Sequence, residues 1–588
     1  YFMEDKKNDF IEITDLKDML NKTKELYGDK IAYKIRKKDG EKGEYITYTH
    51  REVRDMVDAL GTALIDMGLK GKRIAVIGEN RFEWEIAYLS VVCGTGIVVP
   101  LDKSLPENEL KSLIDRSGVT AIFYSKKYEE ELKKIKLLGV GKLKHLISMD
   151  LAEHEDGIYS QKELIEVGKE LIKEGNREFI DAKISNKDMN IMLFTSGTTS
   201  QSKVVALSHK NICSNLMDIA KVLDVNSNDV FLSILPIHHV FECTVGFLFS
   251  LYRGAQTVFC DGIRHIVENL SEYHVSVMAC VPAIYERIFK IIRKGIEKQG
   301  KLEDVLEKEE LFRDKTMEER KEVFKEIHDM LGGNIRLFIS GAAALDRTIE
   351  QKYRLLGINL VQGYGLTETS PIVGVGTNEN YRLGSIGKPV PSVRVKLADK
   401  DKDGIGELLV KGPNVMLGYF GNDEATKEAI RNGWFYTGDL AKIDDEGYIF
   451  ICGRKKSVIV LKNGKNIFPE EMENLVNRIE GVNESFIFGR PVSDDKDDIK
   501  INVKLVIDKE IIKDVYKIEG TDEEIKEVLS SKIKEINKTM PPYKAIRGII
   551  ISEEPLIRTT TNKIKRQANL DEIEKSENES FSKKCTTL

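Results

Sequence analysis

Apolar residues recur at Val53, Met56, Val57, Leu60, Ala63, Leu64 and Met67, the three- and four-residue spacing of a single helix face. Thr49-His-Arg-Glu52 stands just before them, where a hydroxyl and a carboxylate three residues apart can satisfy each other's backbone N–H groups. Gly68 and Gly71 end the predicted helix. The apolar run at 73–78 then reads as a buried strand, and 83–92 returns to helical texture. Further apolar runs at 121–124, 257–259, 275–281 and 335–339 continue this rhythm. Short buried strands separated by helices predict α/β layers with largely parallel sheets.

Two stretches break the pattern. Residues 293–330 are strongly charged with a helical period, and Leu302, Val305, Leu306, Phe312, Val323, Phe324 and Ile327 form the expected inner face. Between 393 and 448 the texture changes to short strands with glycine turns such as Asp403-Gly-Ile-Gly406. After Arg454 a compact βαβ-like unit is expected. In it Pro469 and Glu470 open a helix, Met472, Leu475, Val476 and Ile479 share one face, and Gly481 ends it. The tail beyond Leu570 is polar and expected to fray.

At 588 residues the chain is too long for one core, so at least two domains are expected. A composition of 41% hydrophobic and 32% charged residues is that of a soluble globular protein. The net charge of -6 argues against a general nucleic-acid binder, because no basic excess is available to neutralise phosphates. Seven cysteines without a Cys-x-x-Cys pair argue against a metal cluster or disulfide framework and suit a reducing cytoplasm. The opening Tyr1-Phe-Met-Glu-Asp-Lys-Lys has no apolar signal core, and the apolar windows 86–101 and 243–252 are too broken or too short to span a membrane.

Candidate chemistry concentrates in five segments. Phe194-Thr-Ser-Gly-Thr-Thr-Ser-Gln-Ser-Lys203 follows an apolar run and offers hydroxyls, backbone N–H groups and one cation, a set suited to a polyphosphate. It is not a Walker A loop, since Ser202 precedes the lysine and Val204 follows it. In Gln362-Gly-Tyr-Gly-Leu-Thr-Glu-Thr-Ser-Pro371, Gly363 and Gly365 allow close backbone approach to a flat ligand, Tyr364 can stack on it, and Glu368 is a hard oxygen donor suited to Mg²⁺. Trp434-Phe-Tyr-Thr-Gly-Asp439 places a carboxylate after a glycine turn, where it can accept both hydroxyls of a ribose. Gly453-Arg-Lys-Lys-Ser457 and Thr559-Thr-Thr-Asn-Lys-Ile-Lys-Arg566 add basic turns.

These segments, in this order, resemble the adenylate-forming superfamily of acyl- and aryl-CoA ligases, firefly-type luciferases and peptide-synthetase adenylation domains. The resemblance runs from about Asp29 to Arg566 and includes Leu235-Pro-Ile-His-His-Val-Phe-Glu242, Ser340-Gly-Ala-Ala-Ala-Leu345 and the stretch from Gly406 to Tyr419. The His-Val-Phe-Glu string, the charged insert before Arg336 and the Thr-Thr-Thr-x-Lys-Ile-Lys-Arg ending are most similar to AMP-forming long-chain fatty acid–CoA ligases.

The resemblance implies an α/β fold. It has a large N-terminal domain (1–456) of layered subdomains with a small β-barrel-like part, and a small mobile α+β C-terminal domain (457–588). It further implies ATP-dependent formation of an acyl adenylate from a medium- or long-chain fatty acid, then transfer to coenzyme A, with loading of a stand-alone acyl carrier protein as the alternative. By the same resemblance, Thr195, Ser196, Gly197, Thr198, Thr199 and Lys203 hold the β- and γ-phosphates, and Thr195 and Glu368 position Mg²⁺. Gly341, Ala342 and Tyr364, beside Gly363 and Gly365, sandwich adenine, while Thr367 contacts the α-phosphate. Asp439 and Arg454 take the ribose, and Lys456 joins the same binding set. His239 lies beside the acyl carboxylate, Lys563 reaches the carboxylate and α-phosphate, and Ser457 is the hinge. A cytoplasmic location follows, with peripheral membrane contact open. Ser200, Ser202 and Val204 depart from the usual Gly, Pro and Gly, and Asn562 from a usual glycine; at a position needing positive φ, serine costs about 1–2 kcal/mol.

Overall fold

The computed structural model describes residues 10–37, 43–195, 202–297, 314–379, 381–462, 465–491, 499–559 and 564–585. Helix His50–Asp66 forms where the apolar spacing predicts it. The Thr49 hydroxyl accepts the Glu52 N–H at 3.2 Å, and the Glu52 carboxylate accepts the Thr49 N–H at 2.7 Å. Val53, Val57, Leu60 and Leu64 are buried, each worth about 1.5–3 kcal/mol of apolar transfer. The helical stretch expected over 83–92 is an α-helix, Phe82–Ser90, followed by a wide turn, Val91–Thr95. The turn closes there because Gly94 has φ +150° and lies under the Phe179 ring.

Two twisted sheets form the large N-terminal part. The first runs Gly418–Tyr419, Lys203–Ser208, Met189–Thr195, Ile97–Leu101, Arg73–Ile77, Ala121–Tyr124, His145–Ser148, Tyr159–Ser160. Its strands from Met189–Thr195 to Tyr159–Ser160 are parallel, while Lys203–Ser208 returns antiparallel. The second runs Lys388–Pro389, Ile372–Val375, Leu360–Gly365, Leu337–Ser340, Val277–Cys280, Val230–Ser233, Gln256–Phe259, Ile31–Arg36, Tyr45–Thr49. It is parallel from Leu360–Gly365 through to Ile31–Arg36. The most extensive apolar cluster reaches from Ile13 to Ile449 and includes Trp84, Tyr88 and Phe247, and two further clusters pack on the same sheets, one around Tyr285 and Tyr353 and one around Ile122 and Tyr124. The expected barrel-like part is a five-stranded antiparallel sheet of Arg394–Ala398, Gly406–Lys411, Trp434–Ile443, Ile430–Arg431 and Ile449–Arg454.

In the charged insert, Phe324 and Ile327 are buried as expected, but Val323 is 52% exposed. Helices Met317–Val323 and Lys325–Met330 break at Phe324, and the break rotates the inner face away from Val323. Leu302, Val305, Leu306 and Phe312 lie outside the described residues.

Beyond Arg454 a separate apolar cluster gathers Met472, Val476, Val503 and Ile533. Helix Pro469–Val476 opens on its proline, as the pattern predicts. The sheet is mixed rather than purely βαβ: Val482–Pro491 pairs antiparallel with Ile499–Ile507, which pairs parallel with Ile546–Ser552. The tail expected to fray is helical over Arg566–Cys585, because Ile573 is buried in a small cluster with Phe486 and Phe488. No described helix is long and apolar enough to cross a membrane.

Candidate functional site

Ligands of open parallel sheets bind beyond the carboxyl ends of the strands, and Thr195, Gly341 and Gly363–Gly365 stand at such ends. Met189–Thr195 ends on Thr195, whose hydroxyl donates to the Lys203 carbonyl at 3.3 Å. Lys203 opens the returning strand, and its ammonium stands 4.5 Å from the centre of the Tyr419 ring. Ser196, Gly197, Thr198 and Thr199 lie outside the described residues, as does Lys563.

Tyr419 links this hairpin to the next segment. Its hydroxyl donates to Glu368 Oε1 at 2.9 Å, and the Glu368 carbonyl accepts the Met416 N–H at 2.8 Å. Burial, then the Glu368 charge, push the Tyr419 phenol up, so it stays a proton donor. Lys203, Tyr419 and Glu368 therefore form one chain of contacts across two sheets. Sequence reasoning placed Tyr419 inside a matching stretch and gave it no role; its aromatic position in the short strand Gly418–Tyr419 was the available signal.

The second sheet contributes Gly341, just past Leu337–Ser340, and Leu360–Gly365 with Gly363, Tyr364 and Gly365. A Cβ on Gly341 would come within 2.9 Å of the Phe241 ring, and one on Gly365 would collide with the Pro371 carbonyl. Ala342 holds φ +67°, which costs about 1–2 kcal/mol and is the kind of strain that gathers at ligand-binding segments. Gln362 ties the two segments together, accepting the Leu345 N–H at 3.4 Å and donating to Glu350 at 2.9 Å.

The third sheet supplies Asp439 and Arg454, register partners joined by an ion pair of 2.8 Å. Asp439 is buried and also accepts the Tyr364 hydroxyl, while Arg454 is exposed. Burial, followed by the Asp439 charge, raises the Tyr364 phenol well above its ordinary range. Glu407 steadies this corner by accepting the Gly438 N–H at 3.1 Å and pairing with Lys455 at 2.8 Å. Lys456 is exposed in the turn Lys455–Ser457, which also carries the expected hinge residue. Thr367 and Glu368 occupy a single tight turn, Thr367–Thr369, after the glycine segment.

His239 precedes Phe241, the neighbour of Gly341, by two residues, and its ring stands 4.8 Å from that of His238. A clamp that sequence reasoning missed holds this loop. Asn80, three residues past strand Arg73–Ile77 of the first sheet, donates to the Ser233 hydroxyl (2.9 Å) and the Leu235 carbonyl (2.6 Å) and accepts the Ile237 N–H (3.2 Å). Glu242 is fully buried below it and accepts the Ser233 hydroxyl at 2.7 Å. Burial pushes the Glu242 carboxyl up to about 8. His238 Nε2 stands 3.5 Å from Asp102 Oδ1, while His238 Nδ1 and Ser340 Oγ are buried without a hydrogen-bond partner among the described residues. Buried polar atoms in that state call for a ligand or water.

Hydroxyl, ammonium, carboxylate and aromatic groups on three sheets thus surround one seam, and these are the features of an adenylate-forming enzyme. The chain belongs to the AMP-binding enzyme family, which it matches over residues 20–420, with a match to that family's C-terminal domain over 456–583. Among curated proteins it is similar to Long chain acyl-CoA synthetase 3 of Arabidopsis thaliana, at 28% identity over 494 residues, covering 77% of this chain and 72% of that one. It is also similar to human Long-chain-fatty-acid--CoA ligase 1, at 29% over 480 residues, covering 76% and 68%. Among solved structures, ATP-bound MatB from Rhodopseudomonas palustris shares the fold, with a TM-score of 0.72, 23% identity, and coverage of 94% and 98%.

Proposed function

We propose that this protein activates a medium- or long-chain fatty acid with ATP and transfers the acyl group to coenzyme A. The observation that carries the reading is the continuous contact from Lys203 through Tyr419 to Glu368, facing the Tyr364–Asp439–Arg454 corner. The names of the similar curated proteins support the acid and thiol classes. A fatty carboxylate oxygen attacks the α-phosphorus, the bond to the β-phosphate oxygen breaks, and pyrophosphate leaves. The coenzyme A thiol, having lost its proton, then attacks the acyl carbonyl and AMP leaves.

In this reading Thr195, Ser196, Gly197, Thr198, Thr199 and Lys203 seat the β- and γ-phosphates, and Gly341, Ala342 and Tyr364 flank adenine. Thr367 meets the α-phosphate, and Asp439 and Arg454 take the ribose. His239 borders the carboxylate, and Lys563 approaches it from a mobile unit spanning 457–588, with Lys456 on the face that replaces it. Because the attacking and attacked groups are both anionic, positioning and fixed positive charge supply most of the acceleration.

The donor set fits Mg²⁺. Glu368 commits Oε1 to Tyr419 and keeps a second hard oxygen, Thr195 adds a hydroxyl, and no cluster of three His, Cys, Asp or Glu forms a cage among the described residues. Mg²⁺ bound through one carboxylate and substrate phosphates needs no such cage; when bound it screens phosphate charge.

Pyrophosphate release with a panel of acids from acetate to palmitate, with and without coenzyme A, tests the reading. The expected result is palmitate-dependent release with acyl-CoA and AMP as products. A preference for acetate or benzoate refutes the fatty-acid assignment, and adenylate formation without thioester refutes coenzyme A as acceptor.

A further inference from the structure

The returning half of the candidate phosphate hairpin is held from outside by a side chain that none of the chemistry above uses. Arg116 sits at the end of helix Glu107–Ser117. Its Nη2 donates to the Ser202 carbonyl at 2.6 Å and its Nη1 to the Ser202 hydroxyl at 3.4 Å. The same guanidinium stands 5.8 Å from the centre of the Phe194 ring. Phe194 precedes Thr195 on the outgoing strand, and Ser202 immediately precedes Lys203, where the returning strand opens, so Arg116 reaches both limbs of the hairpin that carries the two phosphate candidates.

The base of this brace is itself fixed. Arg73 donates to the Ser117 carbonyl at 2.8 Å, and Gly118 closes the helix in a left-handed conformation, φ +61°. Serine at 202 leaves φ free where proline would fix it. A guanidinium fork that grips both the carbonyl and the hydroxyl of the same residue supplies the missing constraint, and a lysine ammonium cannot match that geometry. The next residue is Lys203, whose ammonium must keep its place over Tyr419.

We propose that Arg116 is a positioning residue for nucleotide binding, acting by bracing Ser202 and so fixing Lys203. The inference rests on the reading that the Thr195–Lys203 hairpin seats the ATP phosphates. Arg116 is exposed, so its removal leaves the core intact.

The test uses the full chain and its Arg116→Ala, Arg116→Lys and Ser202→Ala variants. Pyrophosphate release is measured against MgATP at saturating palmitate and against palmitate at saturating MgATP. Arg116→Ala is expected to raise KM for ATP about fivefold, with kcat and KM for palmitate within about twofold of wild type, since two charge-assisted but solvent-exposed hydrogen bonds are lost. Arg116→Lys is expected to recover less than half of that loss, and Ser202→Ala, which keeps the carbonyl, to change KM for ATP by less than about threefold. An Arg116→Ala enzyme with unchanged KM for ATP overturns the proposal. So does equal damage to both substrates, or full restoration by lysine, which would make the residue a simple point charge. A wild-type chain that releases pyrophosphate with none of the acids overturns the underlying reading of the site instead.

Discussion

Replacing Tyr419 by phenylalanine isolates one link in the contact chain from Lys203 to Glu368 on which the proposed function rests. The ring stays, so Lys203 keeps its cation–π seat at 4.5 Å; only the hydroxyl that donates to Glu368 at 2.9 Å is removed. A hydrogen bond to a charged group contributes about 1.5–3 kcal/mol. Glu368 is half-buried and water can take over part of the bond, so the lower end, about 1.5 kcal/mol, is the expected loss. That corresponds to about a tenfold fall in kcat/KM. Because Glu368 is the proposed magnesium ligand, the loss should appear mainly as a higher Mg²⁺ requirement. Tyr419→Leu also removes the ring face, adding about 0.5–1 kcal/mol for the cation and a further two- to fivefold loss. The assay is pyrophosphate release at fixed ATP and palmitate over a Mg²⁺ titration, with thermal unfolding as a control for the fold. If Tyr419→Phe equals wild type at every Mg²⁺ concentration, the Tyr419–Glu368 bond has no part in the reaction and the site must be redrawn.

Two other changes probe groups outside the proposed nucleotide seam. Glu242 is held protonated up to about 8 by burial, against 4.5 when exposed, so the folded state binds the extra proton between those values. Stability is then fully present below pH 4.5, falls by up to about 1.4 kcal/mol per pH unit as pH rises toward 8, and levels off above it. Glu242→Gln should flatten that fall in denaturant midpoints measured from pH 5 to 8.5, and an unchanged slope would count against a protonated Glu242. Arg478 reaches from helix Pro469–Val476's far end to Asp346, which is 9% exposed, at 2.7 Å. Arg478 is half-exposed, so Arg478→Ala should cost only about 0.5–1 kcal/mol. The loss should appear as a two- to fivefold change in the ratio of adenylate formation to thioester formation in single turnovers, and an unaltered ratio would show that this contact does not distinguish the two steps.

Contiguous chemistry was legible in the sequence, and paired chemistry was not. A run of hydroxyls, a glycine and a lysine within a few residues marks a candidate phosphate seat, so Thr195 and Lys203 stand out as candidates from the sequence alone, as do Gly341, Tyr364 and Asp439 in their own segments. The partners that hold them come from far along the chain: Tyr419 meets Glu368 across 51 positions, Arg116 meets Ser202 across 86, and Asn80 meets Ser233 across 153. Nothing local marks such pairs. Helical periodicity read 293–330 as one continuous face and so misplaced Val323, because a break at Phe324 leaves no periodic trace. The polar tail was misread for the opposite reason: a few anchors dock a helix with almost no amphipathic signal, namely Ile573 and Leu570 on the Phe486–Phe488 cluster, buried Asn569 bonded to Ile557, and Glu572 paired with Lys504.

The separation of partners also says how the site is built. Its groups come from the ends of two parallel sheets and from the antiparallel sheet, and the most extensive apolar cluster beneath them reaches from Ile13 to Ile449. Each sheet alone presents only half of an interaction: Lys203 without Glu368, Tyr364 without Asp439, Leu235 without Asn80. The seam therefore exists only when all three sheets are docked, and its buried polar atoms carry their desolvation cost until that happens. Substitutions that loosen sheet packing far from the seam should lower activity before they lower secondary-structure content, since hydrogen bonds within each sheet survive a displacement that the contacts between sheets do not.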